Sequence, residues 1–253
     1  MKEYDLIIFM GQSNMAGRGV TSEKWPEIAP ECIEGAGYEF RAISDPTKLY
    51  NIEEPFGVNE NNPEGINEPG RKTGSMVTSF VNAYYEASGV PVIAVSASKG
   101  GSQIASWQGN NDYLTDAAGR FTSAVRYCED HNIKLRHRYM VWCQGESDGD
   151  ADTSREVYRE RFLKMLNTML GCGVEKCFLI AIGEYNGSGN VDYAPIRTEQ
   201  LDIAKTVQEV ELVSDDFRKM KARGLMKDAF HYYQKAYNEV GRIAGANAAR
   251  LSD

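Results

Sequence analysis

Five short, almost uninterrupted apolar runs punctuate the chain, at residues 6–10, 91–97, 139–143, 177–182 and 210–213. A strand with one wet face alternates apolar and polar residues, whereas a strand apolar at nearly every position must be covered on both faces. The intervening segments supply the covers. Residues 76–87 place Val77, Phe80, Val81 and Tyr84 on one helical face, and residues 114–129 read as a further helix. Thr153 and Glu156 have the spacing of a capping box ahead of Tyr158, Phe162, Met165, Leu166 and Met169. Another helix starts near Pro195, and the last carries Tyr233, Tyr237, Val240, Ile243, Ala244, Ala248 and Leu251 on one stripe. Strands alternating with amphipathic helices predict an α/β fold, with about five mainly parallel strands and right-handed crossovers. Ligands of such sheets bind beyond the carboxyl ends of the strands.

A length of 253 residues fits one domain spanning 1–253 better than two. Residues 18–74 break the rhythm: they are rich in Pro, Gly, Asn and Glu, with only 38–43 suited to an extended conformation. They read as a long rim loop that either shapes a cleft or is plain solvated surface. The formal net charge of -8 speaks against nucleic acid or an anionic membrane as partner, because both are bound through clustered Lys and Arg. No apolar stretch reaches the ~20 residues that span a bilayer, and the first apolar run reads as strand, not signal, so a cytoplasmic location is expected. The five cysteines, Cys32, Cys128, Cys143, Cys172 and Cys177, form an odd, scattered set expected to be reduced thiols. Cys172 and Cys177 have no nearby histidine or second cysteine pair to complete a zinc site, so no metal is expected.

The run GQSNMAG at 11–17 puts Ser13 in a glycine-flanked bend just past the first strand. A hydroxyl there becomes a useful nucleophile only with a base, a group that orients the base, and donors for an oxyanion. The chain has three histidines. His131 and His137 flank a helix-to-strand junction and read as solvated. His231 follows Asp228 by three residues in KDAFHYY, a spacing that lets the carboxylate hold Nδ1 and leaves Nε2 for a serine hydroxyl. The alternative is that Asp228 caps the last helix and His231 lies in its first turn. SKGGS at 98–102 offers a backbone N–H at Gly101, or simply a tight turn. WCQGESD at 142–148 offers the Gln144 amide, or a buried glutamine satisfying loop backbone. Losing one oxyanion donor costs about a hundred- to thousandfold in rate. A neighbouring Asp228 carboxylate is expected to lift the pKa of His231 above ~6.5.

GQSNMAG, KGGSQIASW, W-x-QGESD and DAFH, in that order, resemble the SGNH hydrolases, specifically the branch holding carbohydrate esterase family 6 and the sialic-acid O-acetylesterase (SASA) domains. The resemblance covers residues 5–245. It implies a three-layer α/β/α, flavodoxin-like fold and a serine esterase that removes acetyl groups from a small sugar or oligosaccharide, without a cofactor. Carried over, Ser13 is the nucleophile, Gly101 and Gln144 the oxyanion donors, and Asp228 with His231 the base pair. The wider superfamily usually has Asn where this chain has Gln144, and the glutamine points to sugar acetyl esters, acetylxylan among them. O-acetyl sialic acid is the alternative substrate, which a basic residue such as Arg41, Arg71 or Lys72 would favour. A non-catalytic carbohydrate-binding protein on the same scaffold is the other alternative. Asn14, Trp107 and Glu146 are candidate substrate contacts: Trp107 as a stacking face or as packing, Glu146 with Asp148 also as supporting acceptors, and Asn14 with Arg18 also as holders of the nucleophile loop. Gly65 and Gly70 followed by Arg71-Lys72-Thr73 mimic a phosphate loop, but that motif needs Lys directly after the second glycine and a strand directly before the first.

Overall fold

The computed structural model describes residues 2–109 and 111–252. Strands β1 (Glu3–Gly11), β2 (Gly37–Phe40), β3 (Leu49–Asn51), β4 (Val92–Ser98), β5 (Lys134–Cys143), β6 (Lys176–Ile180) and β7 (Val210–Ser214) form one sheet ordered β3-β2-β4-β1-β5-β6-β7. All neighbours run parallel except β2 and β3. The sheet has seven strands where about five were expected. Both additions come from the irregular stretch after residue 18: β2 overlaps its extended segment, and β3 is three residues long, too short to show a period.

The helices are α1 (Ser13–Ala16), α2 (Val77–Ser88), α3 (Asp112–Asp130), α4 (Glu146–Asp150), α5 (Arg155–Gly171), α6 (Ala194–Thr206) and α7 (Gln234–Arg250). Successive β1 side chains leave opposite faces of the sheet. Leu6, Ile8 and Met10 join Phe121 of α3, Phe162 of α5 and Ile196 of α6 in one core. Ile7 and Phe9 join Phe80 of α2 and Tyr237 and Ala244 of α7 in the other. This is the three-layer α/β/α arrangement that the resemblance implied. The small residues on the last helical stripe have a steric purpose. A Cβ on Gly245 would lie 2.1 Å from the Phe80 carbonyl oxygen, so α7 rests directly on the α2 backbone.

One helix start differs from expectation, and another decides between two readings. The cap of α5 is Ser154, which accepts from the Val157 N–H at 3.3 Å, because the Thr153 hydroxyl is taken up by Asp148 at 3.0 Å. The last helix begins at Gln234, so His231 lies in the bend before it and not in its first turn.

β1 is central, and Gly11 at its end pairs with Ser98 at the end of β4 and Cys143 at the end of β5. From β1 the sheet extends to β4, β2 and β3 on one side and to β5, β6 and β7 on the other. Such a switch point opens a crevice at the carboxyl edge. The loops that leave these three strands carry Ser13, Gly101 and Glu146.

Candidate active site

The bend that delivers Ser13 requires glycine. Gly11 has φ of 139°, and a Cβ there would lie 2.0 Å from the Cys143 carbonyl oxygen. Gln12 then donates its backbone N–H to that same oxygen at 3.0 Å, and the chain turns at once into α1. The Ser13 N–H, at the first position of this turn, has no partner among the described residues.

His231 reaches Ser13 from across the sheet edge. Asp228 Oδ1 accepts from the backbone N–H groups of Phe230 at 3.0 Å and His231 at 2.7 Å, which curls the bend. Asp228 Oδ2 accepts from His231 Nδ1 at 2.9 Å, and His231 Nε2 accepts from the Ser13 hydroxyl at 3.0 Å. A carboxylate has no proton to give, so Nδ1 carries the hydrogen and Nε2 is left basic. Burial works to raise Asp228, but the two backbone donors and the imidazole hold its carboxyl below the usual range. Burial pushes His231 below its ordinary 6.5 and outweighs the opposing pull of Asp228. The expected lift of this imidazole is therefore reversed: three-fifths of Asp228 is sequestered, yet the ring itself is desolvated more.

The cleft over Ser13 has a volume of about 630 Å³. Gly101 lies on its wall with an unpartnered backbone N–H. Glu146, Arg18, Arg71 and Lys99 also form part of its lining. Of the other basic candidates, Lys72 is buried elsewhere against the Phe56 and Gly57 carbonyls and Ser96, while Arg41 pairs with Glu39 and lies over Tyr50. His137 pairs with Glu175 on the surface, and His131 contacts the Tyr127 carbonyl.

The family of carbohydrate esterases described as sialic acid-specific acetylesterases matches residues 3–250. The chain belongs to that family. It is an ester hydrolase acting on carbohydrates. No curated protein matches the sequence. Among solved structures, a protein of Arabidopsis thaliana superposes with a TM-score of 0.70 at 20% identity, over 99% of both chains. NanS superposes with a TM-score of 0.64 at 13% identity, covering 99% of this chain and 98% of that one. A carbohydrate acetylesterase from Xanthomonas citri gives 0.61 at 16% identity, covering 98% of this chain but 57% of that one. At such identities the likeness establishes the fold.

Three expected contacts of the esterase need correction. Gln144 is fully buried; its Nε2 donates to the Ser102 carbonyl at 2.9 Å and to Asp148 Oδ2 at 2.6 Å. With both amide hydrogens spent, it cannot donate to an oxyanion, and instead it ties down the loop that presents Gly101. Trp107 is fully buried, with its indole N–H on Ser102 Oγ at 3.0 Å and its ring 5.3 Å from that of Trp142, so it offers no face to a sugar. Asn14 is buried too: it donates to Glu146 and to the Phe230 carbonyl at 3.0 Å, and accepts from Tyr237 at 2.6 Å. It joins the chain neighbours of Ser13 and His231 rather than a ligand. Asp148 accepts from the Ile104 N–H at 2.7 Å and from Gln144, so it is a supporting acceptor.

Glu146 is only 2% exposed. Its Oε1 accepts from Asn14, its Oε2 has no partner, and burial, reinforced by Asp150 and Asp148, pushes its carboxyl up to about 7.

Gln12 and Glu68 are among the lining residues that the sequence does not single out. Gln12 accepts at Oε1 from the Gly145 and Ser147 N–H groups at 3.1 and 3.3 Å, while its Nε2 has no protein partner. Its place directly before Ser13 was the available signal. Glu68, from the irregular stretch, pairs with Arg18 and Lys99 and accepts from the Gly100 N–H at 2.7 Å. No spacing or motif marks it.

Proposed function

We propose that the protein hydrolyses O-acetyl esters of carbohydrates through a Ser13-His231-Asp228 triad. The observation that carries this reading is the unbroken pair of hydrogen bonds from Ser13 Oγ to His231 Nε2, 3.0 Å, and from Nδ1 to Asp228 Oδ2, 2.9 Å, at the wall of the cleft. Ser13 Oγ attacks the acetyl carbonyl carbon as its proton passes to His231 Nε2. The Ser13 and Gly101 N–H groups receive the oxyanion, with the Gln12 amide taking the side-chain role first expected of Gln144. Imidazolium then protonates the departing sugar oxygen. Water, deprotonated by the same imidazole, releases acetate from the acetyl-serine.

A screen of acetate release from acetylated xylan fragments, acetylated glucose and O-acetyl sialic acid, with Ser13→Ala protein as blank, tests the assignment. Hydrolysis unchanged by Ser13→Ala refutes the nucleophile. Carbohydrate binding without turnover supports instead a non-catalytic role. Between acetylxylan and an O-acetylated acidic sugar, one observation favours the second. Arg71 stands at the cleft with no ion pair among the described residues, whereas Arg18 and Lys99 share Glu68. A free guanidinium in that place suits a sugar carboxylate.

A further inference from the structure

Gly101, Ser147 and Asp150 border two depressions at once. On one side is the cleft of Ser13 and His231. On the other is a shallower groove of about 390 Å³, completed by Gln103, Ser106 and Ala151. The saddle between them is low because no side chain rises from Gly101, which has φ of 71° and open space where a Cβ would project.

The groove is furnished for hydroxyl groups. Asp150 Oδ1 accepts from the Tyr193 hydroxyl at 2.7 Å, which leaves Oδ2 open. Among the described residues, the hydroxyls of Ser106 and Ser147 and the side-chain oxygen of Gln103 have no partner, while Gln103 Nε2 reaches the Ser147 carbonyl at 3.4 Å. Acceptors and rotatable hydroxyls thus line a wet channel with no large apolar surface, which disfavours a lipid chain or an aromatic ring. No cation lines it and Asp150 is acidic, which disfavours a phosphate or a second carboxylate. A neutral polyhydroxylated ring satisfies both conditions.

We propose that this groove is a second sugar subsite, occupied by a neutral ring joined glycosidically to the ring whose acetyl ester lies at Ser13. The inference rests on the carbohydrate esterase reading of the cleft. The preferred substrate is then an acetylated oligosaccharide, and the saddle at Gly101, Ser147 and Asp150 carries the glycosidic link.

Two matched pairs test it: a monoacetylated methyl xyloside against a xylotriose acetylated at the same ring position, and free O-acetyl sialic acid against O-acetylated sialyllactose. For whichever pair is hydrolysed, kcat/KM should favour the longer member by about tenfold, the worth of one or two net hydrogen bonds. Ala151→Trp fills the groove at an exposed turn position and should erase that preference while leaving the monosaccharide rate unchanged. Equal kcat/KM within each hydrolysed pair, or an Ala151→Trp loss shared by both members, overturns the subsite. Saturation-transfer NMR of Ser13→Ala protein with the two oligosaccharides decides the matter independently of turnover. Contacts to a ring beyond the acetylated one, lost in Ala151→Trp, support the proposal, and their absence overturns it even if ester hydrolysis is found. If instead neither pair is hydrolysed but those contacts appear, the esterase assignment fails and the sugar groove stands.

Discussion

Glu146→Gln changes one titration and almost nothing else. The side chain is buried, its Oε1 accepts from Asn14 and its Oε2 has no partner, so a glutamine oxygen keeps the Asn14 bond and its amide fills the unpartnered position. In the folded protein the carboxyl loses its proton at about 7, against an ordinary 4.5. Between those values the folded state holds a proton that the unfolded chain has released. Stability from this group is therefore fully present below about 4.5 and drains away as pH rises to about 7. At about 1.4 kcal/mol per pH unit over about 2.5 units, the full loss is about 3.5 kcal/mol, a sizeable share of the ~5–15 kcal/mol that holds a typical domain together. Urea unfolding of both proteins at pH 5 and pH 8 isolates this contribution, since every other titrating group cancels in the difference. The wild-type protein should lose about 2.5 kcal/mol more than Glu146→Gln over that interval, because part of the stabilisation is already gone at pH 5, with the variant the more stable of the two at pH 8. Parallel pH dependences in the two proteins would refute the assignment of a neutral, buried Glu146.

Activity should rise along an acid limb whose midpoint lies below 6.5, because His231 must be neutral to accept the Ser13 proton and burial lowers its pKa. A kcat profile with its limb above 6.5 contradicts that. Gln144→Leu should cost about 3 kcal/mol of stability by orphaning the Ser102 carbonyl and weakening the hold on Asp148. Its kcat should fall far less than the roughly hundredfold expected of a direct oxyanion donor, and a larger fall at unchanged structure returns Gln144 to that role. Arg71→Ala should raise KM for O-acetyl sialic acid about tenfold and leave an acetylated neutral sugar unaffected; equal effects on both substrates remove Arg71 from carboxylate recognition.

The five central and right-hand strands were readable because most of their length is covered on both faces and so carries a short apolar run. Their ends were not. β5 begins at Lys134, five residues before its apolar stretch, and the added residues Lys134, Leu135, Arg136, His137 and Arg138 are mostly charged. At this end of the strand, Arg136 pairs with Asp5 and His137 and Arg138 with Glu175, so ion pairs replace apolar cover and erase the period. β2 was legible only as a brief extended segment and β3 not at all, for a different reason. Glu39 on β2 is buried, and its partners Arg41 and the Gly57 N–H come from within the same irregular stretch, so the strand is stabilised by polar contacts that a hydrophobic pattern cannot register.

At the site, the Asp228–His231 pair was legible from one short segment, whereas the partners of the amides and the indole beneath the cleft, which join distant segments, were not. Asp228 and His231 are three residues apart, so the carboxylate can both curl the bend and hold the ring, and their spacing alone exposes the pair. The contact of His231 with Ser13 spans the sheet and rests on Asn14, whose three hydrogen bonds reach α4, the bend at Phe230 and α7. Asn14, Gln144 and Trp107 were each open to two readings, a ligand contact or an internal support, because they adjoin the residues that face the cleft, and the structure decides for support. A loop at a strand end, however, has an inner layer as well as an outer one. Its backbone polar groups must find partners when the crevice closes over them, and buried amides, hydroxyls and an indole supply those partners. Gln12 and Gln144 divide in this way. Both are amides in loops that leave adjacent strands; Gln144 spends its donors on the Ser102 carbonyl and Asp148, while Gln12 spends its acceptor on Gly145 and Ser147 and keeps its donors free. Which of the two amides faces the ester depends on where the neighbouring backbone groups point, a property of the folded crevice that residue type and spacing do not encode.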